Sequence, residues 1–160
     1  MRILAALLAA TLATGAAAQA QSMRLTTASA QEIIAGCAAH STAKGQSHAI
    51  AVYDGGAGPV AFLRMEGNSA GVGQFAMEKA RAVALWGFPT SRMEQAIKET
   101  PGFKDAPGVV TVAGGVPIFS ADGKTFLGAV GVSGEAAADD EACAIAGIEK
   151  AGLAAARSRS

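Results

Sequence analysis

The spacing of apolar residues changes several times along this chain. Residues 3–13 are an almost unbroken apolar run, with Thr11 the one interruption. Residues 28–43 instead repeat at helical intervals: Ile33, Cys37, His40 and Lys44 fall on one line, with Ile34, Ala38 and Ser41 beside it. Ser29 and Glu32 have capping-box spacing at its start, and Gly45 ends it. Residues 48–54 (HAIAVYD) and 59–66 (PVAFLRME) are strand-like, and Gly55-Gly56-Ala57-Gly58 between them reads as a hairpin turn. On the second of these strands Val60, Phe62, Arg64 and Glu66 share one face, and Ala61, Leu63 and Met65 the other.

Helical spacing returns after Ser69, an N-cap residue type, and runs to residue 86. Pro89-Thr90-Ser91 breaks it, a short polar helix covers 92–99, and 101–108 reads as a loop. The last third predicts strands at 109–112, 116–120 and 126–133, with a bend at Ala113-Gly114-Gly115 and a hairpin signal at Asp122-Gly123. An Ala-rich helix over 137–157 closes the chain, and Asp139, Asp140 and Glu141 in its first turn offset the helix dipole. The order α-β-β-α-α-β-β-β-α, with short turns joining strands, predicts an α+β fold: a single antiparallel sheet of about five strands flanked by helices.

The N-terminal run does not belong to that pattern. Met1-Arg2, the apolar run, and then Ala18-Gln19-Ala20 have the layout of a secretory signal peptide over 1–20, cleaved before Gln21, with Ala16-Ala17-Ala18 as a second cleavage possibility. The run falls short of the roughly 20 apolar residues a membrane span needs. The expected mature protein is a single domain over 21–160, periplasmic or secreted, with no stable membrane anchor. Formal net charge is zero and no basic run occurs, which removes the electrostatic footprint of nucleic-acid binding. Cys37 and Cys143 can pair in an oxidising compartment or serve as small apolar fillers, and both readings stand.

Few motifs carry chemistry. Gly55-Gly56-Ala57-Gly58 joins two strands, and Gly114-Gly115 precedes one, so neither is a phosphate loop opening a helix. Gly131-Val132-Ser133-Gly134 is not a nucleophile elbow. The two histidines, His40 and His48, are not at helical metal-ligand spacing, and the Asp139-Asp140-Glu141 group reads better as helix-terminus charge than as a metal shell. Two positions stand out. Lys79 lies on the apolar stripe of Val72, Ala76 and Val83, and Arg64 lies on the strand face of Val60 and Phe62. Such cations either snorkel to an edge or form a pair facing an anionic ligand such as a carboxylate or propionate. His40 and His48 are the imidazoles available to an iron centre, with Met65 the nearest alternative type of haem ligand.

Four blocks, taken together, resemble a known family: IAVYDGGAGPVAFLRMEG (50–67), Lys79-Ala80, GGVPI (114–118), and GAVGVSG followed by DDEACAIAG (128–147). They are similar in content and order to the GlcG/HbpS family, described as haem-binding or haem-degrading and related to the C-terminal domain of PduO-type proteins. The resemblance implies an antiparallel sheet flanked by helices, symmetric homo-oligomers and, for some members, haem held by an axial protein ligand. This chain departs from the usual RMDGA motif, reading Arg64-Met65-Glu66-Gly67-Asn68.

The resulting expectation is an exported, non-catalytic haem- or tetrapyrrole-binding protein for capture, storage or sensing. His40 is the expected iron ligand, with Arg64, Met65, Lys79, Gly114 and Gly115 as further cofactor-binding residues. An alternative is an enzyme or binding subunit for a small hydroxy or carboxylic acid, anchored by Arg64 and Lys79 with Glu66 as base. A third is a structural oligomer without a ligand.

Overall fold

A computed structural model describes residues 24–159; the signal segment over 1–20 lies outside the described residues. Helix α1 (Thr27–Ala43) leads into the hairpin β1 (Ala49–Asp54) and β2 (Pro59–Arg64). Helices α2 (Ala70–Trp86) and α3 (Thr90–Glu99) follow, then a short 3-10 turn (Pro101–Asp105), strands β3 (Gly115–Phe119) and β4 (Phe126–Ser133), and helix α4 (Ala137–Lys150). The strands form one antiparallel sheet in the order β2-β1-β4-β3. The fold is α+β as expected, with four strands in place of about five. No helix among the described residues is long and apolar enough to cross a membrane.

Strand alternation divides the core between two layers. Ile50, Val52, Val130, Val132, Val116 and Ile118 pack against Ala30, Ile33 and Cys37 of α1 and Cys143, Ala144 and Ile148 of α4. Ala49, Ala51, Tyr53 and Ala129 point the other way, toward Ala76, Ala80, Val83 and Ala84 of α2. The second layer is built almost wholly from small residues, so α2 lies very close to the sheet. A Cβ on Gly131 would stand 2.0 Å from the Ala76 carbonyl oxygen and 2.4 Å from the Ala80 nitrogen.

Three local expectations are corrected. Residues 109–112 form no strand: β3 pairs with β4 along its length, and this segment has no ladder partner, leaving Val112 38% exposed. Helix α4 stops at Lys150 and does not continue to 157. Gly152 turns the chain with φ at 70°, and Ala154 exchanges two backbone hydrogen bonds with Phe119, covering part of β3. At α1 the cap is Thr26, whose side chain accepts from the Ser29 N–H, so Ser29 sits inside the helix.

Candidate functional site

The C-terminal ends of β2 and β4 and the N-terminal ends of β1 and β3 meet at one end of the sheet, where α4 begins. Lys79 reaches this end from α2. Its ammonium donates to Asp140 Oδ2 at 2.7 Å and to the Val132 carbonyl at 2.9 Å, and it lies 4.9 Å from the Phe75 ring centroid. Lys79 is 0% exposed and Asp140 2%. Burial pulls the lysine below its ordinary pKa range, and the Asp140 carboxylate opposes that pull.

Asp140 is shared further. Its Oδ1 accepts from the Glu135 N–H at 3.1 Å and stands 3.4 Å from His48 Nε2, out of line for a hydrogen bond. On its other side the His48 ring meets Ser41 Oγ through Nδ1 at 2.7 Å, and Ser41 donates to the Cys37 carbonyl at 2.9 Å. Ser41 has one hydroxyl hydrogen, so that bond assigns the shared proton to His48 Nδ1. Ser41 also touches Cys143 Sγ at 3.2 Å, and Cys143 is disulfide-bonded to Cys37 with the two Cα atoms 4.7 Å apart. A continuous buried chain thus runs from Lys79 through Asp140, His48 and Ser41 to the disulfide.

This chain resembles a serine–histidine–aspartate relay in composition only. Ser41 and His48 are fully buried and the hydroxyl is already spent on a backbone carbonyl, so a substrate carbon has no approach to it. Its chemistry is structural: three helices and the sheet end are tied through charges that all find partners inside.

The predicted ligand residues separate under this geometry. Lys79 and Arg64 do not form a cationic pair: Lys79 is committed to Asp140 and Val132, while Arg64 is exposed and its guanidinium donates to the Asn68 carbonyl. Gly114 and Gly115 are filled against the protein itself. A Cβ on Gly114 would meet the Val132 carbonyl oxygen at 2.6 Å and Lys79 Nζ at 2.8 Å, and one on Gly115 would meet Thr90 Cγ2 at 2.6 Å. Those glycines let the start of β3 approach α2, and Thr90 Oγ1 accepts from the Gly115 N–H. Met65 is half-buried beyond β2, its N–H bonded to the His48 carbonyl.

His40 differs from all of these. It is half-buried in the last turn of α1, and its Nε2 is shielded from water with no hydrogen-bond partner. An imidazole nitrogen left unmatched in this way costs stability and keeps a lone pair free.

Sequence reasoning missed Asp140, His48 and Ser41 as members of one network. Asp139 does behave as surface charge: a hydrogen bond from Gln46, with Lys44 nearby, holds its carboxyl below the usual range. Asp140, one residue on, faces inward. The signal available was Lys79 itself, since a cation on an apolar stripe demands a buried anion.

Elsewhere, a surface hollow of about 480 Å³ is lined by Arg24, Leu25, Thr26, Ser29, Asp122 and Leu153 among others, and one of about 370 Å³ by Phe88, Arg92, Gln95, Ala96 and Glu99. Neither touches the predicted ligand residues. Beside the second, Trp86 and Phe88 pack on Phe103 with centroids 5.1 and 6.2 Å away, and Leu85 and Trp86 stay 51% and 38% exposed.

Comparison with known proteins gives a consistent picture. Residues 25–149 match the HbpS-like family, described as haem degrading protein HbpS-like. A double mutant of HbpS from Streptomyces reticuli has 28% identity and a TM-score of 0.72, over 79% of this chain and 86% of that one. The ORFY protein of Klebsiella pneumoniae shares the fold at 21% identity and a TM-score of 0.73, over 79% of this chain and 90% of that one. A PduOC–heme complex shares it at 16% identity and a TM-score of 0.74, over 84% and 99%. No protein of curated function matches.

Proposed function

This chain belongs to the HbpS-like family, and from that premise we propose that it is an exported haem-binding protein acting in capture, storage or sensing. The observation that carries the reading is the unpartnered Nε2 of His40. Of the two imidazoles, His48 is locked between Ser41 and Asp140, which leaves His40 to offer a nitrogen to iron. The exposed Arg64 is the cation suited to a propionate, and Met65 supplies a thioether near the same end of the sheet. Lys79 has no part in the reading, because its charge is neutralised inside the fold. Haem when bound would supply an iron centre and a flat apolar surface; the protein's own contribution is the imidazole, the guanidinium and the exclusion of water. The PduOC–heme complex supports the reading by giving a haem-bound example of the fold.

Export accords with the N-terminal pattern and with a disulfide that an oxidising compartment permits. The small-acid alternative requires Lys79 as a carboxylate anchor, and Lys79 is committed to Asp140.

Titrating hemin into the purified, disulfide-intact protein and following the Soret band tests the proposal. Saturable binding is expected, with His40→Ala shifting the band and weakening affinity at least about tenfold, the equivalent of one lost ligand of about 1.4 kcal/mol. Arg64→Ala should weaken binding without moving the band. Absence of saturable binding, or a His40→Ala titration identical to wild type, overturns it.

A further inference from the structure

Strand β2 lies at one edge of the sheet, and the register shows which of its backbone groups are already used. The Met65 N–H donates to the His48 carbonyl at 3.0 Å. The β1–β2 partners then run Ala49 with Arg64, Ile50 with Leu63, Ala51 with Phe62 and Val52 with Ala61. Antiparallel ladders alternate between pairs that exchange hydrogen bonds and pairs that do not. Starting from the Met65–His48 bond, the alternation assigns Leu63 and Ala61 to bonds with β1. Phe62 and Arg64, and by continuation Val60, turn their N–H and C=O groups away from the sheet. No turn or loop backbone group among the described residues bonds to them.

Such a row is a template for another strand, and natural edges are guarded against it with proline, charge or bulges. Here the guards sit at the ends. Pro59 opens the strand, the register irregularity falls at Val52/Tyr53, and Arg64 closes it. The centre is Phe62, 44% exposed, whose ring reaches back over the N-terminal turns of α2 near Gly73.

We propose that this edge is a homodimer interface, in which β2 pairs antiparallel with β2 of a second copy about a two-fold axis at Phe62. The choice of a second copy rests on self-complementarity. Pairing about Phe62 sets each outward residue opposite an outward residue: Phe62 against its counterpart, Val60 against Arg64, and Arg64 against Val60. Every free N–H and C=O then meets a partner, two aromatic rings cover each other's exposed faces, and no two arginines stand opposite one another. The zero formal charge of the chain removes long-range repulsion between copies. The two sheets become one continuous sheet with the α1/α4 layers on the same side. The inference is independent of haem.

Sedimentation equilibrium of the disulfide-intact protein, with circular dichroism as the folding control, tests it. Wild type should show the dimer mass. Phe62→Pro deletes an outward N–H while leaving the β1 ladder its bonds, so it should sediment at the monomer mass with an unchanged spectrum. Phe62→Lys places like charges across the axis and should also give monomers; it decides the matter if the proline variant loses its fold. A wild type that is monomeric at its highest soluble concentration overturns the proposal. So does a dimer or larger assembly whose mass Phe62→Lys leaves unchanged, and so does a monomer that takes up strands only from other proteins.

Discussion

Lys79 shows how far a single position can be read. Its place on the stripe of Val72, Ala76 and Val83 marks a cation where packing calls for an apolar group. The stripe itself cannot say which carboxylate answers it, because Asp140 lies 61 residues further on. Asp140 in turn looks like ordinary charge in the first turn of a helix, and its neighbour Asp139 is that. Only the seating of α4 on the sheet end turns one carboxylate inward and leaves the other in solvent. Removing one member of a buried pair strands the other charge, at a cost of about 3–5 kcal/mol. Lys79→Met should therefore lower the denaturant midpoint by that amount, and the Lys79→Met/Asp140→Asn double variant should recover most of the loss. Additive losses in this cycle would show that the two residues are not coupled.

Among elements, the pairing of α1 with α4 was the least legible. Both helices were evident from spacing, capping residues and Ala content, yet nothing local says that they cross at Gly36, Cys37, Cys143 and Gly147. They approach closely there: a Cβ on Gly147 would stand 2.4 Å from the Ile33 carbonyl oxygen, and the disulfide joins the helices across 106 residues. From sequence, pairing and apolar filling were equally open for these cysteines, since fully buried cysteines serve both purposes. A cross-link closing a loop of this length stabilises by about 4–5 kcal/mol in the chain-entropy picture. The Cys37→Ala/Cys143→Ala variant should lose stability on that scale in urea unfolding; a loss below about 1 kcal/mol would show that the bridge adds little. Strand prediction failed at 109–112 for a related reason. Val109, Val110 and Val112 have strand character, but a strand exists only where a neighbour completes its ladder.

At the scale of the whole molecule, the four sequence blocks and the measured fold lead to the same family, and the N-terminal run adds a destination. If the chain is exported as proposed, protein recovered from the extracytoplasmic fraction should begin at Gln21 on N-terminal sequencing; recovery of chains that retain Met1 would count against it. The sequence by itself determined the α+β class, the position of most helices and strands, the family, and the oddity of Lys79. These rest on local periodicity, on turn residues and on motif order, all of which are properties of neighbouring positions. Tertiary structure alone decided that Lys79 belongs to Asp140, that His48 is locked and His40 is free, that Gly114 and Gly115 serve packing, and that β2 is left at the edge. Each of those depends on which distant segments meet at the end of the sheet. That meeting is governed by the burial of both sheet faces at once, which no short stretch of sequence records.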